Sequence, residues 1–314
     1  MEWVGRRVRT APSKKVKHAN KHLSAKAMRV MSLVVSSCLL LSCFAKQPIK
    51  DFDETLIVWR SNTIGVVDGP FSEDRISPVR LSTEVESIVD ASRCGEWVTL
   101  AVVEKGTRRG AVWVGSITSL SFRPLFQSAR AITGAAADDS GTSIVYTAFS
   151  GGEANPHGFS LFYLSADAQS PAVLRANISP TSSVVWRPMS DEVAYVESEG
   201  WIQVLNTKTL VARRVARGHG FSWSPDGSKL AYVNGKTLYV YDEEAKTTTE
   251  VYARHAFQTD FDKHIFWDKR GKRILTNAPA GLFGYDNECM ITDQTVRRPL
   301  YQGAYLCGPV LSQR

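Results

Sequence analysis

The densest group of proton-handling or metal-binding side chains in this 314-residue chain is His255-Ala-Phe-Gln-Thr-Asp260-Phe-Asp262-Lys-His264. Imidazoles and carboxylates this close in sequence could hold a divalent ion or share acid–base work. The competing reading is a polar loop leading into a strand at Phe266. His219 stands apart, between Gly218 and Gly220. There is no Gly-x-Ser-x-Gly elbow and no glycine-rich phosphate loop, so hydrolase and nucleotide-enzyme chemistry has little support. Asp138-Asp139-Ser140-Gly141 opens like a calcium loop but lacks the later carboxylate at the required distance. Without a Cys-x-x-Cys pair or Cys/His ligand spacing a zinc site is not expected, and in the absence of a catalytic motif no metal, cofactor or catalytic residue is assigned.

Charge separates the chain into two regions. The net charge is +7, yet residues 1–30 hold nine basic residues against the single acid Glu2, which makes that segment +8 and leaves the remainder at −1. A nucleic-acid partner is therefore not expected, because the body presents no basic excess. The run Val30 to Leu41 is uncharged and mostly apolar. It has the length of a signal-peptide core and falls short of a spanning helix. Leu40-Leu41-Ser42-Cys43 resembles a lipobox, with Cys43 as lipid acceptor; cleavage after Ala45 and an uncleaved anchor helix are the alternatives, and Met28 or Met31 could be the initiator. The expected layout is a basic extension plus signal peptide over 1–42, a tether over 43–54 and a folded body over 55–314. That layout places the protein in the cell envelope, lipid-anchored and facing the periplasm, or alternatively soluble in the periplasm or secreted. Of the remaining cysteines, Cys289 and Cys307 could pair in an oxidising compartment, leaving Cys94 as a buried odd thiol.

The body repeats itself. Phe221-Ser-Trp223-Ser-Pro225-Asp226-Gly227-Ser-Lys-Leu-Ala-Tyr232-Val233 sets a tight-turn signal between apolar runs, and Trp186-Arg187-Pro188 followed by Ala194-Tyr195-Val196 is a second copy. A third keeps Trp267 and Gly271. Weaker copies surround Gly141 and Gly95. Taking Gly95, Gly141, Asp191, Gly227 and Gly271 as markers, the unit recurs at steps of 46, 50, 36 and 44 residues, which straddle the roughly 40 to 50 residues of a four-stranded propeller blade. Strand signals follow each marker, the clearest being the Asn234-Gly235 turn between Lys229–Val233 and Thr237–Tyr241.

Trp223 to Val233 resembles the repeat of the TolB-type β-propellers, in which Trp-Ser-Pro-Asp-Gly recurs once per blade. The resemblance spans roughly Asp51 to the C-terminus. TolB itself carries an α/β domain ahead of its propeller, for which residues 44–54 leave no room. An all-β propeller is expected, with six four-stranded blades or alternatively seven. It would be closed by the tail Ala304–Leu311 joining the N-terminal strands Leu56–Trp59 and Ile64–Asp68. Within a blade Pro225 sets φ for the turn, Asp226 caps its amides and Gly227 takes positive φ. Trp223 and Tyr232 would pack between neighbouring blades. In a ring of this kind His219 could face the central channel, or simply occupy a glycine-rich turn.

Two functions from different classes follow. One is a non-enzymatic envelope scaffold that binds a protein or peptide and meets the membrane only through its lipid anchor, as the resemblance implies. The other is a propeller enzyme, a metal-assisted lyase or hydrolase acting on extracellular glycans or peptides. An enzyme should gather groups such as His219, Asp262 and His264 into one concave site.

Overall fold

The structure is a computed structural model. It describes residues 55–68, 76–79, 81, 85–107, 109–116, 118–119, 121–151, 158–165, 167–180, 183–253, 263–280, 286–292, 297–303 and 306–311. For Asp68 and for residues from 278 onward, Thr292 excepted, the description covers the backbone alone. The chain divides into two units, Met1–Gln47 and Pro48–Arg314, and all described residues belong to the second. The expected leader, the Leu40–Cys43 lipobox and residues 43–54 lie outside the described residues.

Five blades are each built from four consecutive antiparallel strands. Blade one is β4 (Val85–Cys94), β5 (Trp97–Glu104), β6 (Gly110–Ser116) and β7 (Phe122–Ser128). Blade two is β8 (Ile132–Ala137), β9 (Ile144–Phe149), β10 (Phe159–Leu164) and β11 (Ala172–Ile178). Blade three is β12 (Val184–Trp186), β13 (Glu192–Val196), β14 (Trp201–Asn206) and β15 (Ala212–Arg217). Blade four is β16 (His219–Trp223), β17 (Lys229–Asn234), β18 (Thr237–Asp242) and β19 (Thr247–Ala253). Blade five is β20 (Ile265–Trp267), β21 (Ile274–Ala280), β22 (Asp286–Thr292) and β23 (Arg297–Gly303).

The expectation of six blades, or seven, is corrected by this topology: the chain spells five continuous blades. The remaining four-stranded sheet is a composite of the two chain ends, in the order β24 (Leu306–Leu311), β1 (Thr55–Arg60), β2 (Thr63–Asp68) and β3 (Ser77–Pro78). The blade motif is the turn between the first and second strands of a blade. In the composite sheet those two strands, β24 and β1, come from opposite ends of the chain, so no such turn exists and no marker can appear there. The inner strand β24 touches β4 of blade one and β20 of blade five.

Burial follows the position of each strand. Middle strands are covered on both faces, as in β17 and β6, because each sheet is sandwiched between two others. Their sequences accordingly read as nearly continuous apolar runs rather than alternating ones. Outer strands such as β19 are largely exposed. Each apolar cluster bridges neighbouring sheets: Val185, Ala194 and Ile202 of blade three pack with Trp223, Leu230 and Tyr232 of blade four, and Ala231, Val233 and Leu238 pack with Ile265, Trp267 and Ile274 of blade five. Trp59 and Trp113 are among the largest fully buried side chains. Removing either ring would cost about 3–5 kcal/mol.

The four glycine markers all take positive φ, between 53° and 68°. In blade four, Ser224 Oγ accepts from Lys229 N at 2.9 Å and donates to Asp226 Oδ1 at 2.6 Å, while Gly227 N donates to Ser224 O at 2.8 Å. Asp138 and Asp268 replace that serine, and one carboxylate oxygen of each takes both amides that blade four splits between Ser224 and Asp226: those of Thr142 and Ser143 in one case, of Lys272 and Arg273 in the other. Blade three departs from this pattern. Arg187 stands at that position, the left-handed residue is Met189 at φ 54°, and the turn is held by Ser190 Oγ, which accepts from Glu192 N.

Candidate functional site

The first strands of the blades surround the axis, and the motif turns gather at one mouth of the channel. A hollow of about 190 Å³ opens there. Trp223 and Pro225 of blade four, Phe266 and Trp267 of blade five and Pro188 of blade three form its apolar wall. Arg93, Gly95 and Glu96 of blade one complete it from across the axis. The indoles are held rather than loose. Trp267 Nε1 donates to Ser222 O at 2.9 Å, and the Arg187 guanidinium lies 5.1 Å over the Trp223 ring. Arg93 Nε donates to Gly95 O at 2.9 Å. An apolar cavity of about 150 Å³ takes a benzene-sized guest, so this hollow has room for one aromatic or branched side chain. It is smaller than the roughly 300–1,000 Å³ usual for small-molecule sites.

Below the mouth the channel is filled. The space left between Asp90, Ser92, Ser183, Ser222, Lys263 and His264 is about 10 Å³, room for one water at most. His264 Nε2 lies 3.4 Å from Asp90 Oδ1, with both side chains almost fully buried, and the edge of Trp59 packs against the imidazole at 5.1 Å. Asn277 Nδ2 donates to the backbone carbonyl of His264 at 3.2 Å. A histidine and a carboxylate are therefore in contact, with room beside them for one water at most among the described residues.

Of the histidines and carboxylates singled out by spacing, His264 is placed in this plug. His219 begins β16 and is half-buried; it does not line the plug. The adjoining Gly220, at φ 51°, presses against the Lys263 backbone, and an added Cβ would come within 2.6 Å of it. His255, Asp260 and Asp262 lie outside the described residues. Among the described residues no three ligating side chains come together. Cys289 falls on β22 and Cys307 on β24, strands of two different sheets; their side chains lie outside the described residues. Cys94 is a buried free thiol whose Sγ donates to Asp139 Oδ1 at 3.1 Å. Burial, reinforced by the Asp139 charge, pushes that thiol far above its ordinary range.

Sequence alone assigns no role to Asp90, and it places Asp139 and Arg187 within motif copies without showing what they do. Asp90 is a buried carboxylate on β4, a strand that also carries Glu86 and Arg93, so nothing local in the sequence marks it out. Asp139 ties three blades together, receiving the Cys94 thiol on one oxygen and the Met189 amide on the other. Its neighbour Asp138 caps its own turn, so the pair divides one local and one long-range duty. Arg187 replaces the motif serine and reaches Gly227 O of the next blade at 2.9 Å. Met189, the chain neighbour of the lining residue Pro188, stands 76% exposed.

No family model and no curated protein matches the chain. Solved structures do share its fold. TolB from Acinetobacter baumannii superposes with a TM-score of 0.63 at 12% identity, covering 92% of this chain and 74% of that one. A chain of a nidogen/laminin complex gives 0.56 at 10% identity, over 82% of this chain and 97% of that one. A putative TolB from Agrobacterium tumefaciens gives 0.53 at 11% identity, over 83% and 99%. At these identities the likeness is one of fold: the described chain is a β-propeller similar in architecture to TolB proteins.

Proposed function

We propose that this protein is a non-enzymatic β-propeller scaffold of the cell envelope, anchored through Cys43, that docks a protein or peptide segment at the axial hollow. The observation that carries this reading is the hollow itself, a one-residue socket with an aromatic and proline wall of Trp223, Trp267, Phe266, Pro188 and Pro225 and polar edges at Arg93, Glu96 and Ser222; the exposed Met189 follows the wall residue Pro188 in the chain. Interface hot spots are buried aromatic anchors seated in well-packed pockets with neutral contacts around them. The plug beneath limits insertion to the mouth, which suits a side chain of a partner and not a threaded polymer. The basic segment, the apolar run and Leu40–Cys43 support export and lipidation, and the similarity to TolB propellers supports an envelope context.

Site-specific photo-crosslinking in cells tests the docking face. A crosslinking amino acid at Met189 should give a discrete protein adduct, whereas one at Val173, 59% exposed on the outer strand β11, should not. Equal labelling at both positions, or none at Met189, would sink the reading. Membrane fractionation of Cys43→Ser tests the anchor separately: lipidation requires that the variant leave the membrane fraction.

A further inference from the structure

We infer that the segment taken by this hollow is an acidic peptide, with an apolar anchor in the socket and carboxylates directed at the blade-five turn. The inference rests on the docking reading above and specifies its partner chemistry.

The charges at the turn face are not equivalent. Apart from Glu96, the described carboxylates of its motif turns are engaged within the protein. Asp138 accepts from Ser140 Oγ and from the amides of Thr142 and Ser143. Asp139 holds the Cys94 thiol and the Met189 amide. Asp191 pairs with Lys208 at 2.9 Å, Asp226 is satisfied by Ser224 and Ser228, and the buried Asp268 pairs with Arg273 at 2.9 Å. Glu96, on the blade-one lip, is exposed.

The bases of the blade-five turn other than Arg273 have no such engagement among the described residues. Lys269, Arg270 and Lys272 follow Trp267 in its motif turn; Arg270 and Lys272 are exposed and Lys269 is half-buried. Among the described residues no carboxylate lies within ion-pair distance of any of the three. Asp268, the nearest acid in sequence, is fully buried and committed to Arg273. The turn also abuts the socket, since a Cβ on Gly271 would sit 3.4 Å from Pro225 Cδ, a wall residue. A chain whose anchor fills the socket would therefore pass three cations that have no acid partner among the described residues, with the exposed Glu96 as the one facing carboxylate of the lining. Complementary charge of this kind sets orientation and encounter rate.

Fluorescence anisotropy with the purified full chain and three labelled peptides tests the inference. All share a central Phe and differ in its flanks: Asp and Glu, Ser and Gln, or Lys only. The acidic peptide should bind about five- to tenfold more tightly than the neutral one at low salt, and the gap should close near 0.5 M salt. The double variant Arg270→Glu with Lys272→Glu, both at exposed turn positions, should reverse the order so that the Lys-flanked peptide binds best. If all three peptides bind alike and the variant changes nothing, the acidic specificity is wrong while the socket stands. If no peptide binds either protein although the Met189 crosslink forms, the peptide class is wrong and the docking face survives. If the crosslink fails as well, both readings fall.

Discussion

At the scale of single residues, the motif turn shows how one short oxygen organises a blade. In blade four Asp226 accepts from Ser224 Oγ and from both the amide and hydroxyl of Ser228, and these bonds hold its carboxyl below the usual carboxylate range, the Ser224 bond most of all. A depressed carboxyl stabilises the fold above the unfolded-state value, near 3.9, and loses that contribution as pH falls through the folded-state value. Asp226→Asn should therefore destabilise the protein by about 1 kcal/mol at neutral pH. The difference from wild type should shrink as pH is taken from 5 towards 3. Thermal melts of both proteins across that range check it; a pH-independent gap would mean that the charge contributes nothing. This turn was readable from Ser-Pro-Asp-Gly because each residue has a local task. Asp139 was not, because its two partners are remote in sequence and only the closed ring brings them together.

At the scale of elements, stability lies between blades as much as within them. Blade three gives up the capping oxygen of the motif and places Arg187 there, and the freed guanidinium joins an ionic network with blade four. Arg187 Nη1 meets Glu192 Oε2 at 2.6 Å, Arg213 Nη2 meets Glu192 Oε2 at 3.3 Å and Glu243 Oε1 at 2.8 Å, and Lys246 closes on Glu243. The Glu243 side chain is only 10% exposed while that of Lys246 is 58% exposed. Removing one member of a buried pair strands the other charge, whereas an exposed member contributes little. Glu243→Gln should thus cost about 2–3 kcal/mol, and Lys246→Gln less than about 0.5 kcal/mol, as read from urea midpoints. Similar losses for the two would mean that solvent reaches the network freely. In the sequence the departure at Arg187 was visible as a degenerate copy, but its purpose was not, because Glu243 belongs to a loop after β18 in the next blade.

At the scale of the whole molecule, the repeat exposed the all-β ring while hiding its joint. Five markers correspond to five continuous blades. The composite sheet has no marker because its first two strands meet only after the chain has come full circle. Its register runs Thr55 to Leu311, Leu56 to Val310, Val58 to Cys307 and Trp59 to Leu306, with an irregularity between Leu56 and Val58. Pro309 falls at that irregularity, where a residue without an N–H interrupts no ladder bond. The outer edge ends in the two-residue β3 containing Pro78, which offers little for another chain to pair with. Deleting residues 306–314 would uncover one long edge of β1, whose Leu56, Ile57, Val58 and Trp59 are at most 1% exposed in the closed ring. The truncated chain should associate through that edge, eluting as oligomers by size exclusion with light scattering, and should melt well below the full chain. A synthetic peptide of residues 306–311 supplied in excess should restore the monomer, because it provides the missing inner strand by β-augmentation. A truncated chain that stays monomeric with an unchanged melting temperature would show that β24 seals nothing, and that the apolar contacts of β1 with β4 and β5 close the ring unaided.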